Sequence, residues 1–340
     1  MASYFARRLL LVIPTFLGVT LMVFAITRFV PGGPVERMIA QAQQMQAEGK
    51  SGGTDRVGAA ALSEDQIKQL NEYYGLDKPV LVSYVQWLWK VFRLDLGTSS
   101  RYNEPVWDLI KSRFPVSISF GLATLVLTYG VCVPLGILKA VKHKSGIDTA
   151  TSVVAFIGYA VPNYVVGILL IILFASQWEL FPLSGLMSDD FADMTRWGQA
   201  KDLLWHAALP LAAYLAGSFA VMTFLTKNSL MDNLAADYVR TAIAKGLDFK
   251  RAVLRHALRN SLIPIATHFG NEISLIFSGS FLVETIFNIN GFGLLGYESL
   301  MERDYPVVMG ILVLTSLLFL IGNILSDVCV AFVDPRVKFQ

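Results

Sequence analysis

Six apolar runs, each long enough to cross a lipid bilayer, dictate most of what this chain can become. They cover about residues 9–30, 115–140, 147–175, 203–226, 262–287 and 305–332. Roughly 20 apolar residues in a helix match the ~30 Å of hydrocarbon. In that layer no water is present to satisfy backbone N–H and C=O groups, so such runs are read as α-helices. The expected fold class is an all-α polytopic membrane protein with six transmembrane helices. Composition agrees: of 340 residues 54% are hydrophobic and only 16% are charged, outside the range of ordinary soluble domains.

The first run follows Arg7 and Arg8. It ends in Thr27, Arg28 and the turn sequence Pro31–Pro34 rather than at a small-x-small cleavage site. It is therefore expected to remain as a span and not to leave as a signal peptide. Net charge is only +2, so the distribution of charge between loops says more than its total. Basic groups collect at the N-terminus, at Lys139, Lys142 and Lys144 against Asp148, in the segment around Arg240 to Arg259, and at Arg336 and Lys338. Acidic groups collect at Glu179, Asp189, Asp190, Asp193 and Asp202, and at Glu298, Glu302 and Asp304. The positive-inside rule then places both termini and residues 227–261 in the cytoplasm.

Three regions follow. Residues 1–30 are the cytoplasmic N-terminus and first span, 31–114 a polar extracytoplasmic insertion, and 115–340 a core of five spans with its basic loop. Within the insertion, the Gln-, Gly- and Ala-rich middle predicts a mobile loop. Ser63 and Gln66 form a capping box for a helix stopping at Gly75. Asp77 and Pro79 suit the cap and first turn of another. Its apolar face is Val80, Tyr84, Trp87, Leu88, Val91 and Phe92, which either lies on the membrane interface or packs on the outer ends of spans.

Residues 237–264, DYVRTAIAKGLDFKRAVLRHALRNSLIP, are the longest helical stretch too polar for lipid. Gly246 offers a left-handed stop and Asp248 an N-cap for a second helical piece. In that piece Phe249, Ala252, Val253 and Ala257 share one side, and Arg251, Arg255 and Arg259 recur at i, i+4 on another.

Enzymatic templates are missing: there is no GxxxxGK[ST] phosphate loop, HExxH or Gly-x-Ser-x-Gly elbow. No catalytic residue, metal ligand set or cofactor site is expected in this chain, and no nucleic-acid footprint is visible. Cys132 and Cys329 read as small apolar residues of spans. The polar residues inside spans are a separate matter. His268 and Glu272 stand four apart with Asn271 beside Glu272, so the pair either lines a water-filled path or joins helices. Asn323 and Asp327 on the last span read the same way, and Asp327 calls for an Arg, Lys or backbone N–H at its end of the helix. Asn163 follows Pro162, which with Pro14 and Pro134 predicts kinked spans.

At this point a family resemblance enters. Arg240-Thr241-Ala242, then Gly246, then nine residues and HALR resembles the EAA loop of ABC-importer permeases. Ala242, Gly246 and Leu258 match its pattern, while Arg240, Thr241, His256 and Arg259 depart from it in the way of the peptide/nickel branch. PGGPVE, YGLDKP, DLGTS (Asp95–Ser99), GYAVP (Gly158–Pro162), LTKNS (Leu225–Ser229), NGFGLLGYE (Asn290–Glu298), RDYPV (Arg303–Val307) and the terminal DPR extend the likeness along nearly the whole chain. It is most similar to the B-type permease subunits of oligopeptide and dipeptide importers, and among them to the Yej-type oligopeptide and microcin C permeases.

The resemblance implies a type I ABC-importer permease fold in the bacterial inner membrane, without its own ATPase site. It implies as partners a second homologous permease subunit, two ATP-binding subunits or one fused ATPase, and an extracytoplasmic solute-binding protein, with residues 63–113 in the docking surface of the last. ATP and Mg would be bound by the ATPase subunits, and the substrate would be a peptide. ATPase coupling would fall to Arg240, Thr241, Ala242, Gly246, Asp248, Phe249, Arg251, Val253, Arg255, His256 and Leu258. A secondary transporter or channel is the rival reading; such proteins usually carry inverted repeats, and the halves of this chain show none.

Overall fold

A computed structural model describes residues 2–29, 68, 77–278 and 280–333. The expected helix from Ser63 to Gly75 and the Pro31–Pro34 turn lie outside them. Helix α1 covers Ala2–Phe29 and α2 Val80–Phe92. Helix α3, Val106–Leu127, runs through a π-helical turn, Thr128–Cys132, into α4, Val133–Val141. Helix α5 is Gly146–Ala160 and α6 Asn163–Leu170, the latter prolonged by π-helical Ile171–Gln177. Helix α7 extends over 40 residues, Arg196–Ala235, and α8 over Asp237–Ala244. Helix α9, Phe249–Ala252, passes through π-helical Val253–Ala257 into α10, Leu258–Ser278. Helices α11, Phe281–Ile286, α12, Phe292–Met301, and α13, Tyr305–Val333, complete the described chain.

Among the described residues four stretches are long and apolar enough to cross a membrane: Arg7–Ala25, Val106–Val141, Arg196–Ala235 and Tyr305–Phe332. A fifth arises if Gly146–Ala160 and Asn163–Gln177, bent by 104° at their break, count as one span. In two places an expected apolar run is divided into shorter helices. The run 147–175 is folded back at Val161 and Pro162, where the proline supplies no N–H to continue the helix. The run 262–287 is two helices, α10 and α11, with extended Ser280 (φ −128°, ψ 98°) leading into the second. The polar residues His268, Asn271 and Glu272 also keep α10 below the hydropathy of a lipid-facing span. Pro134 stands in the first turn of α4 directly after a π-helical turn. The expected kink is taken up there, because a π-turn relaxes the ladder where a proline cannot donate.

The chain divides into two compact units. The first comprises residues 1–9, 113–295 and 317–340. Its mast is α7, along which three apolar clusters follow one another. Leu209 and Ala213 pack with Phe120, Val283 and Phe287; Met222 with Cys132 and Ile265; and Leu230 with Ala140, Val239 and Ala257. Helix α4 lies so close to α7 that a Cβ at Gly136 would meet Thr226 Cβ at 2.6 Å and the Thr223 carbonyl at 2.7 Å. Close backbone approach of this kind is the usual use of small residues between membrane helices.

The second unit comprises residues 10–112 and 296–316. Its loop after α2 turns at Gly97 (φ +86°), pairs Thr98 with Pro105, and buries Leu96, Val106 and Ile110 beside Gly310. Helix α2 begins at Val80 with Pro79 in the N-cap position, so Asp77 is not the cap the sequence suggested. Tyr84 and Val91 are buried as expected, Val80, Trp87 and Leu88 partly so, and Phe92 of the expected face points outward.

Candidate functional site

The segment between α7 and α10 is built from two helical arms and one joint. Helix α7 stops where Ala236 turns extended (φ −71°, ψ 147°). Helix α8 stops at a Schellman motif: Gly246 N–H donates to the Ile243 carbonyl (2.9 Å) and Leu247 N–H to the Ala242 carbonyl (3.2 Å). Gly246 takes φ +91°, as its position past the helix end requires. Asp248 sits at the N-cap of α9, but its carboxylate makes no capping bond; only its carbonyl accepts, from Ala252 N–H at 2.9 Å. The side chain read as a cap is thus a solvated one. From Phe249 the helix runs unbroken to Ser278, so the loop helix and the following span are one rod.

Ala252, Val253 and Ala257 point inward as expected and meet Val239 of α8, Leu230 of α7 and Ala140 of α4. Phe249 does not join them; it is 48% exposed, beside Leu254 at 51%. Val253 is buried, so it supports the loop from within and offers no surface. Arg240, Thr241, Arg251, Arg255, His256 and Arg259 are exposed, and Ala242 and Leu258 half-buried. Hydrogen bonds close the base. Ser229 and Ser261 exchange hydroxyl-to-carbonyl bonds (3.1 and 3.2 Å), and Tyr238 donates to Asn233 (2.6 Å) while accepting from Asn260 (3.0 Å). Both serines lie in an Asn-Ser-Leu triplet, 228–230 and 260–262.

Beneath this loop lies an ionic cluster that the sequence reading dispersed among loop charges. Lys139 of α4 is completely buried. Its Nζ donates to the Asp148 carbonyl (2.8 Å), Thr151 Oγ1 (2.8 Å) and Ser152 Oγ (2.7 Å), and lies 3.1 Å from Asp148 Oδ1. Lys227 of α7 donates to both carboxylate oxygens of Asp148, at 2.7 and 2.9 Å. Lys144 N–H (3.1 Å) and His143 Nδ1 (3.3 Å) approach Oδ2. Asp148 thereby joins α4, α5 and α7 at one point, with Ser145 capping α5 beside it. Burying charges is costly unless each is paired and hydrogen-bonded, and here all three are.

The polar residues of the spans fall into a seam. His268 Nδ1 and Glu272 Oε1 are 3.5 Å apart, and Glu272 is buried. Asp327 Oδ2 lies 3.2 Å from Nε of Arg8, an arginine at its end of the helix. Ser326 donates to the Thr267 carbonyl (2.8 Å), placing the helix of Asn323 and Asp327 against that of His268 and Glu272. Asn163 opens α6, half-buried and outside the seam; the Asn271 side chain lies outside the described residues.

Two further constellations escaped the sequence reading. Glu284, buried, accepts from Leu294 N–H (2.6 Å) and Ser117 Oγ (3.2 Å), while Ser117 Oγ accepts from Phe292 N–H (2.7 Å). A carboxylate from another helix thus serves the N-terminus of α12. A Cβ at Gly291 would fall 2.5 Å from the Glu284 carboxyl carbon, so the first glycine of NGFGLLG is there for close approach. In the second unit, buried Asp304 of RDYPV accepts from Ser99 Oγ and from Ser100 (3.2 Å) and Arg101 (3.3 Å) N–H groups at the DLGTS turn. Those two motifs, noticed separately in the sequence, are halves of one contact. Arg101 completes it with Glu298 (3.0 Å) and Glu302 (2.9 Å).

The described residues form an all-helical, multi-pass membrane protein whose bent helical loop is hydrogen-bonded to the helices on both sides of it. Residues 132–339 match the family described as binding-protein-dependent transport system inner membrane component. The chain belongs to that family. It is 42% identical over 360 residues to the peptidoglycan transport system permease protein YejB of Agrobacterium fabrum, covering 100% of this chain and 99% of the relative. It is 39% identical to the inner membrane ABC transporter permease protein YejB of Escherichia coli O157:H7 over 362 residues, and 34% identical to the dipeptide transport system permease protein DppB of E. coli K12 over 356, each with both chains fully covered. The Yej-type and peptide-permease resemblance is thereby borne out. The chain is an inner-membrane permease subunit of an ABC importer, a class that works with an ATPase and a solute-binding protein.

Proposed function

We propose that this chain forms half of the translocation path for oligopeptides or peptide-like compounds, pairing with a second homologous permease. Two ATP-binding subunits, or one fused pair, bind ATP and Mg and drive it. Both termini and the 227–261 loop are cytoplasmic. The sixth crossing is the rod of α9 and α10 with α11; its polar residues face protein or path, which accounts for its low hydropathy. The observation that carries this reading is the loop itself: an exposed cationic surface with Phe249 and Leu254 at its tip, backed by a closed apolar cluster and the Asp148 ionic cluster.

Such a surface fits a groove on an ATPase, and its rigid backing passes displacement to α7 and α10. Arg240, Thr241, Arg251, Arg255 and His256 form the docking face, Gly246 the joint, and Ala242, Val253 and Leu258 the support. Peptide as substrate is supported by the peptide permeases among the relatives. Peptidoglycan-derived peptides are a specific second case, because the Agrobacterium relative is named for peptidoglycan transport. The test is reconstitution with the permease, ATPase and binding-protein subunits encoded alongside. ATP-dependent uptake of labelled oligopeptide is expected, competed by peptidoglycan fragments in the second case. Uptake that proceeds without any nucleotide-binding subunit would sink the proposal.

A further inference from the structure

Helix α2 has three sides, and one of them is unaccounted for. At ~100° per residue, Ser83, Tyr84, Trp87 and Val91 share a sector turned toward α1, while Gln86, Lys90 and Arg93 form a polar stripe exposed to solvent. The remaining sector holds Leu81, Val85, Trp89 and Phe92 with Val82 at its edge. All five are apolar and exposed, Leu81 at 67% and Phe92 at 65%. A helix in water would not carry such a sector opposite its packed one.

The attachment of α2 to α1 says what covers it. Tyr84 Oη donates to the Leu17 carbonyl (3.0 Å) and lies 2.9 Å from Thr20 Oγ1. The Phe24 ring meets those of Tyr84 (5.7 Å) and Trp87 (5.6 Å), and Arg28 donates to the Lys78 carbonyl (2.6 Å). Leu17, Thr20 and Phe24 all lie inside the membrane-crossing stretch Arg7–Ala25. The Tyr84 hydroxyl thus reaches into the lipid-crossing stretch, while Lys78 at the head of α2 is held by Arg28, three positions past its end, so α2 lies at the bilayer boundary. The same stretch of α1 is bare on other sides, Met22 being 65% exposed, so the open sector of α2 continues a surface that is already lipid-facing. Arg93 lies over the Trp89 ring (4.9 Å), a cation and an aromatic ring paired as at a headgroup layer.

We infer that α2 is an interfacial membrane helix: Leu81, Val85, Trp89 and Phe92 are embedded in the lipid surface, and Gln86, Lys90 and Arg93 lie at the headgroups. It anchors the entry of the chain into the 93–105 loop at a fixed depth. Site-directed spin labelling of the whole transporter in phosphatidylethanolamine and phosphatidylglycerol vesicles tests this. Labels are placed at Val85→Cys, Trp89→Cys, Gln86→Cys and Lys90→Cys in a Cys329→Ala background, Cys132 being buried, with Met22→Cys as the lipid-facing reference.

The ratio of oxygen to nickel-chelate accessibility is expected to be several-fold higher at positions 85 and 89 than at 86 and 90, and to match position 22. Equal ratios at all four positions on α2 would overturn the inference. So would protection of 85 and 89 from both reagents, which would mean that another protein subunit covers the sector. Because Met22→Cys reports on α1 alone, a failure of the membrane reading itself is told apart from a failure of this one.

Discussion

Replacing Asp148 with Asn should be among the most damaging conservative changes in this chain. The variant keeps the shape of the side chain and removes the carboxylate that, among the described residues, faces both Lys139, which is fully buried, and Lys227, whose side chain is 11% exposed. Losing one partner of a buried ion pair costs about 3–5 kcal/mol, because the uncompensated charge stays behind. Lys139→Met should behave differently. Asp148 keeps both bonds from Lys227, and the Thr151 and Ser152 hydroxyls still donate to the Ile147 and Asp148 carbonyls. The loss is then about 1–2 kcal/mol, typical of hydrogen bonds removed without leaving an orphaned charge. Combining the two changes removes one of the stranded cations, so the double variant should unfold at a higher temperature than Asp148→Asn alone. Thermal unfolding of the purified complex, scored as a double-mutant cycle, measures this. A double variant less stable than Asp148→Asn, or Asp148→Asn melting with the parent, would refute the account of the cluster.

Three other outcomes are expected. At Gly246 no atom lies within 4 Å of a Cβ, so substitution acts through φ +91° alone; Gly246→Val should lose substrate-stimulated ATPase activity, Gly246→Asn should largely keep it, and a strain of ~1–2 kcal/mol or more separates them. At Gly293 a Cβ would meet Phe281 N at 2.9 Å and Glu284 Oε2 at 3.2 Å, so Gly293→Ala should lower the melting temperature, and Glu284→Ala, which strands the Leu294 N–H, should cost about 1–3 kcal/mol, with Glu284→Gln between it and the parent. In the second unit, Asp304→Ala removes the acceptor of the Ser100 N–H and leaves the Arg101 N–H with Ser99 Oγ alone, and trypsin cleavage after Arg101 should accelerate; unchanged cleavage would show that the turn holds without it.

What could be read from the sequence was local. The stop at Gly246 needed only a glycine past a helical run, and the inward face of α9 only its periodicity. The Arg partner of Asp327 followed from the cost of a carboxylate near a span end. The bend at Pro162 was visible as a proline in an apolar run, although its 104° angle was not. Long-range pairings were invisible. Asp148 meets Lys227 across 79 positions and Ser99 meets Asp304 across 205, so each charge looked like a loop residue until its partner arrived. Glu284 was passed over because its partners are backbone N–H groups, which carry no residue signature. The π-helical turns at 128–132, 171–177 and 253–257 likewise leave no composition trace. The last of them shifts the helical phase just where the sequence placed Arg251, Arg255 and Arg259 on one stripe.

That phase shift also bears on how the loop would transmit force in the coupling role proposed for it. A segment between two spans carries displacement only if its joints are stiffer than the elements it moves. Of the two joints here, the one at Ala236 is spanned by the Asn233–Tyr238–Asn260 bonds, and the one at Gly246 is closed by the Schellman bonds over Leu247, which packs into the apolar cluster. Neither leaves a free hinge. From Phe249 onward no joint exists until Ser278, so in the proposed coupling role a push on Phe249 and Leu254 would act on α10 as on a lever, with Ser229 and Ser261 near its fulcrum. The Asp148 cluster holds α4, α5 and α7 together through Lys227, two positions along α7 from Ser229. Buried ion pairs are poor sources of net stability but strict about geometry, and that strictness is what a fulcrum requires. The buried charges of Lys139, Asp148 and Lys227 therefore sit at the base of the loop proposed to dock the ATPase.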